Sequence, residues 1–189
     1  MTTMTSRLVQ ATGAFAGAAG AFVLLSRGDL AVDTGIGRRY RALGPMRVRI
    51  AAPPATVFDV VAEPYLRRTP HAMQDKLEVW ERGVDMALAA HRTRTRWFTT
   101  TTVEAVRFER PHRITFRLAR GPVPHVAEVF EFRAAGAETD FEYHGELGTD
   151  FWILGGLWGD VVARQWERTV HASIAGIKDE SERRASRRS

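Results

Sequence analysis

The chain has 189 residues, 44% apolar and 26% charged, a composition that builds one buried core and argues against a disordered protein, a solenoid or a large modular enzyme. It has no cysteine, which excludes disulfides, thiolate nucleophiles and cysteine-ligated metal centres. Its net charge of +5 sits on the ends, because residues 45–177 hold 17 basic and 17 acidic side chains; a balanced domain is not the footprint of a nucleic-acid binder. Only Lys76 and Lys178 are lysines, and the excess of arginine reads as the bias of a GC-rich bacterial genome.

Leu8 to Leu25 is an uncharged run of eighteen residues, at the lower edge of transmembrane length and diluted by alanine and glycine. Gly13 and Gly17 give a GxxxG spacing that would let two helices approach in lipid. Arg27, Arg38, Arg39 and Arg41 follow the run, so a membrane anchor there would leave the rest of the chain in the cytoplasm. Three readings of 1–27 stay open: an apolar anchor helix, a helix of a soluble cytoplasmic protein, and a cleaved signal, although Ser26-Arg27-Gly28-Asp29 offers no clean cleavage site. Residues 28–44 read as a connector.

Met46 to Ile50 alternates apolar and basic residues, the period of a strand with one buried face. Pro54 opens a helix through Val57, Phe58, Val60 and Val61, and Pro64 is expected to stop it before a second short helix or turn near Tyr65. Six strands follow without an intervening helix, at 77–81, 84–94, 97–108, 112–120, 126–133 and 139–147, each ended by glycine or proline turns or a charged break. That is an antiparallel meander. From Asp150, apolar residues recur at three- and four-residue spacing from Leu154 to Ile177, predicting an amphipathic helix of about seven turns. Residues 45–180 thus form one domain, and 181–189 read as a basic, disordered tail.

A helix that long needs a broad partner, and a curved sheet closed over it leaves a cavity. The expected fold is α+β: a seven-stranded curved antiparallel sheet around a long C-terminal helix, two short helices after the first strand, and an extra N-terminal apolar helix. This order, with the opening segment Val48-Arg49-Ile50-Ala51-Ala52-Pro53-Pro54-Ala55-Thr56-Val57-Phe58-Asp59-Val60-Val61-Ala62-Glu63-Pro64, resembles the helix-grip superfamily of START-like (SRPBCC) proteins. Within it the chain looks like the branch of polyketide cyclases, dehydrases and lipid transport proteins. The resemblance covers about 135 residues and implies a hydrophobic small molecule or lipid as ligand, with a cyclase, aromatase or dehydrase activity as the alternative. Such a fold hosts many functions, so the site must decide.

Alternation assigns the cavity wall. Phe116 and Leu118 share a face with Ile114, Phe141 shares one with Tyr143 and Leu147, and Glu128 lies in phase with Val126 and Phe130. The helix contributes Trp158, Val162 and Trp166, and Trp97 comes from the third strand of the meander. An inward Glu128 would have a raised pKa and could orient a ligand or move a proton. His91 and Tyr143 are the other polar candidates; an exposed strand histidine and a core tyrosine are the plainer readings. His71, His112, His125 and His171 show no metal-ligand spacing, and no phosphate loop or nucleophile elbow is present, so neither metal nor cofactor is expected. The cluster Phe151, Trp152, Leu154, Leu157 and Trp158 either packs the helix start on the sheet or forms a greasy entrance that meets a membrane. If large side chains fill the interior, a third role remains, that of an accessory protein without a ligand.

Overall fold

The architecture is that of a computed structural model, which describes residues 20–30, 32–67, 69, 71–94 and 99–187. Residues 20–27 are helical (α1). Strand β1 (Arg39–Ile50) is followed by α2 (Pro54–Leu66), a 3-10 turn (His71–Met73), strands β2 (Leu77–Arg82), β3 (Met86–Arg94), β4 (Thr99–Glu109), β5 (Arg113–Arg120), β6 (His125–Ala135) and β7 (Glu138–Thr149), and helix α3 (Trp152–Ser186). The seven strands form one antiparallel sheet in the order β1-β7-β6-β5-β4-β3-β2. The expected α+β helix-grip fold is therefore the observed one. Most of the anchor run, residues 8–19, and Trp97 lie outside the described residues; among those described, no helix is long and apolar enough to cross a membrane.

Three boundaries differ from the sequence reading. First, the connector ends earlier, because β1 starts at Arg39 rather than Met46. Gly44-Pro45 forms a bulge between Leu43 and Met46, tolerated because β1 is an edge strand. Gly44 has φ +76°, and a Cβ there would meet the Tyr143 carbonyl at 3.0 Å, so the bulge needs glycine.

Second, Pro64 does not stop α2. The helix continues to Leu66, since burying Pro64 and Tyr65 in the core outweighs one absent hydrogen bond near the last turn. Only the 3-10 turn follows it.

Third, α3 spans 35 residues, close to ten turns, and takes in Ser181 to Ser186 of the expected disordered tail. Lys178–Glu182, Glu180–Arg183 and Glu180–Arg184 pair along the helix. Arg184 reaches Glu63 of α2 at 2.8 Å, the Ala51 amide donates to Glu182 at 3.0 Å, and Ser181 is fully buried. These contacts dock the end of α3 on the domain, where lone surface pairs would add little.

The start of α3 is shaped by the preceding segment. Phe151 and Trp152 are left-handed (φ 67° and 48°), and their amides donate to the carbonyls of Ile36 and Gly37. Asp150 lies one residue before the N-cap Phe151, and its carboxylate turns to the connector. It accepts from the Thr34 amide (2.7 Å) and hydroxyl (3.0 Å), the Gly35 amide (2.9 Å) and the Arg38 guanidinium (2.7 and 3.2 Å). A Cβ at Gly155 would lie 1.6 Å from the Asp150 carbonyl, so this entry into the helix requires glycine.

Candidate functional site

α3 packs on β1, β7 and α2, over one half of the curved sheet. The half formed by β3 to β6 bends away from it and leaves a cavity of about 1080 Å³, at the upper end of ligand-site sizes. Hence the interior is not filled, despite its large aromatic side chains. Rings run through the core from Tyr65 to Phe116, Phe130 and Phe141, with successive centroids 5.0 to 6.1 Å apart and tilted or edge-on.

Of the residues expected on the wall, Phe116, Glu128, Phe130, Trp158, Val162 and Trp166 border the cavity. Phe141 and Tyr143 lie behind it, 1% and 0% exposed, and Leu118 packs against the core. Trp158 donates its indole N–H to the Pro122 carbonyl at 2.8 Å at the rim. Beside it is Ser26, which is buried and whose hydroxyl has no hydrogen-bond partner.

Glu128 sits in mid-sheet, where β6 crosses beneath α3. The Tyr143 hydroxyl and the Trp166 indole N–H both donate to its Oε1 at 2.7 Å. Burial pushes its pKa up from 4.5 to about 7, helped by the negative charge of Glu104, while the two donors pull it down. Burial and the Glu128 charge raise the Tyr143 phenol in turn, so it stays a donor.

The sequence reading missed a second inward carboxylate. Glu104 on β4 is 4% exposed and accepts from the Thr102 hydroxyl at 2.8 Å. His91 borders the cavity between Glu104 and Tyr65, with Nδ1 3.5 Å from Glu104 Oε2 and Nε2 3.3 Å from the Tyr65 hydroxyl. The carboxylate favours the tautomer with a proton on Nδ1, which leaves Nε2 to accept from the tyrosine. Burial, then the charges of Glu104 and Glu128, raise the Tyr65 pKa well above the usual phenol range. The signal for Glu104 was present: counting back in twos from Phe108 and Val106 reaches Glu104 and Thr102. Buried Val103 on the opposite face obscured it. On β3, the run of alanines before His91 hid its facing.

Of the aromatic cluster at the start of α3, Trp158 packs against the core and the rest stays largely exposed. Trp152, Ile153, Leu154 and Leu157 are 61 to 78% exposed. They lead into Trp158, whose ring is met edge-on at 5.5 Å by Phe22 of α1, itself 52% exposed. An apolar collar thus adjoins the cavity at Trp158, beside Ser26.

A sheet gripping one long helix across a cavity with buried polar groups defines a helix-grip domain. The sequence profile described as polyketide cyclase / dehydrase and lipid transport matches residues 45–182, and the chain belongs to that family. Among solved structures it is similar to the Zhui aromatase/cyclase from Streptomyces sp. R1128 (TM-score 0.62, 18% identity, covering 78% of this chain and 95% of that one). It is also similar to a Thermus thermophilus protein (0.59, 18%, 75% and 97%) and to norcoclaurine synthase from Thalictrum flavum in complex with dopamine and hydroxybenzaldehyde (0.58, 12%, 75% and 85%). At these identities the likeness is one of fold. No curated protein matches the chain.

Proposed function

We propose that the domain binds one hydrophobic small molecule or lipid in the cavity and carries it at the cytoplasmic face of a membrane. The observation that supports this most is the cavity itself. Most of its wall surface is apolar, from side chains such as Val61, Phe116, Phe130, Val162 and Ile177, and the polar groups among them, Tyr65, His91, Glu104 and Glu128 included, can fix orientation. The collar supports the membrane half of the reading: tryptophan and aliphatic side chains beside an entrance suit an interface, and the uncharged run from Leu8 leads into α1 at the same place. The arginines after that run favour the cytoplasmic side.

Full-length protein purified without detergent, extracted with solvent and examined by mass spectrometry is expected to yield one apolar compound at close to one per chain. Protein that carries none, and takes none from a lipid panel, overturns the binding reading. For the collar, Leu154→Glu with Leu157→Glu is expected to cut co-sedimentation with phosphatidylglycerol-containing vesicles about tenfold, with folding unchanged because both side chains are exposed. Vesicle binding unaltered by the pair overturns the membrane half.

The Tyr65–His91–Glu104 chain favours a second reading, a cyclase, aromatase or dehydrase that moves protons on a polyketide-like substrate. His91 would relay a proton between the phenol and the carboxylate while Glu128 takes a proton from the substrate. In that case Glu128→Gln loses turnover and keeps affinity, whereas a carrier has no turnover to lose.

A further inference from the structure

The polar end of the ligand can be specified from the same cavity, and the inference rests on the reading that it binds an apolar molecule. The groups buried there are of one sign. Glu104 and Glu128 are 4% and 6% exposed, and among the described residues no lysine or arginine is buried. Arg164 and Arg168 border the mouth from the exposed side of α3, where water screens them. Arg183 and Arg184, farther along the helix, are engaged by Glu180 and Glu63.

The two oxygens of Glu128 are also unequal. Oε1 accepts from both Tyr143 and Trp166. Among the described residues no donor reaches Oε2, and it is not sealed in protein, since the buried side-chain atoms without a partner are only the hydroxyls of Ser26 and Ser181. It therefore borders the cavity and presents free lone pairs to whatever lies there. Glu104 differs, with Oε1 held by Thr102 and Oε2 facing His91, so the unengaged acceptor is that of Glu128.

We propose that the cavity selects an apolar molecule whose polar end donates hydrogen bonds, an alcohol or a protonated amine, and rejects one that ends in a carboxylate. A donor completes the coordination of Glu128 Oε2 in a site where bonds to a charged acceptor are strong. A carboxylate would add a third anionic group beside two others, without a buried cation to offset it. Length does not decide between them, because an identical tail gains the same burial in every case.

The test is displacement of the neutral fluorophore N-phenyl-1-naphthylamine from full-length protein at pH 8. Dodecanol, dodecylamine and dodecanoate, which share one tail, are compared below the solubility limit of the alcohol and the micelle concentrations of the other two. Dodecanol and dodecylamine are expected to displace the probe at concentrations about tenfold below that of dodecanoate. Glu128→Gln keeps an acceptor for Tyr143 and Trp166, and it is expected to narrow the gap to within about threefold while the probe still binds. Dodecanoate binding as tightly as the other two overturns the inference and places the head group at Arg164 and Arg168 instead. A gap unchanged in Glu128→Gln overturns the role given to Glu128. If the fluorophore and all three compounds fail to bind, the cavity-binding reading falls and the inference falls with it; selectivity lost while the probe binds sinks the inference alone. The order of dodecanol and dodecylamine identifies which donor the site prefers.

Discussion

Raising the pH from about 4.5 to about 7 is expected to destabilise the folded chain by roughly 3 kcal/mol through Glu128, and Glu128→Gln is expected to remove that loss. Below 4.5 the carboxyl is protonated in both the folded and the unfolded chain, so it adds no pH dependence. Between 4.5 and 7 the unfolded chain releases the proton while the fold retains it, and stability falls. Above 7 both forms are ionised and the loss is complete. The carboxylates held below their ordinary range, Glu142 by Arg47, Asp150 by Arg38, Glu180 by Arg184 and Glu182 by the Ala51 amide, act in the opposite sense. Their stabilisation is lost as pH falls below the usual carboxylate range, so the two effects separate along the axis. Urea unfolding of the native chain and of Glu128→Gln at pH 4.5, 6 and 8 checks the assignment. Parallel profiles would mean that Glu128 keeps an ordinary pKa.

The second large effect is expected at Asp150. Its side chain is 2% exposed and gathers five hydrogen bonds from Thr34, Gly35 and Arg38. Asp150→Ala leaves Arg38, 19% exposed, without its buried partner and strands two backbone amides, a loss of about 3 kcal/mol. The same change frees the connector that receives the first amides of α3. Trypsin is therefore expected to cut after Arg38 or Arg39 in Asp150→Ala far faster than in the native chain, and urea midpoints give the stability. If the variant unfolds at the native urea concentration, the connector is not held by this carboxylate. Asp150→Asn, which keeps the acceptor oxygen but loses the charge, should fall between the two.

The fold was readable because its signals are local and periodic. Alternation in strands such as Arg113 to Leu118, and the three- and four-residue spacing from Leu154 to Ile177, report one buried face each. Glu128 was readable for the same reason, as a charge in phase with Val126 and Phe130. What escaped depends on partners far along the chain. Arg39 to Leu43 became strand because β7 supplies its ladder from Gly145 to Thr149. The last two turns of α3 formed because Glu63 and Ala51 wait for Arg184 and Glu182. Glu104 and His91 sit in strands whose two faces are both partly buried, so period alone did not orient them. The exposure of the collar was undecidable from sequence, since Trp152 and Leu154 suit a core and an interface equally well.

The bond between Trp166 and Glu128 has an optical consequence. An indole whose N–H donates to a carboxylate sits in a local field that changes when the acceptor gains a proton or is engaged by another molecule. Trp166 therefore lies where its emission can register, without any added label, both the ionisation of the cavity and the arrival of its occupant.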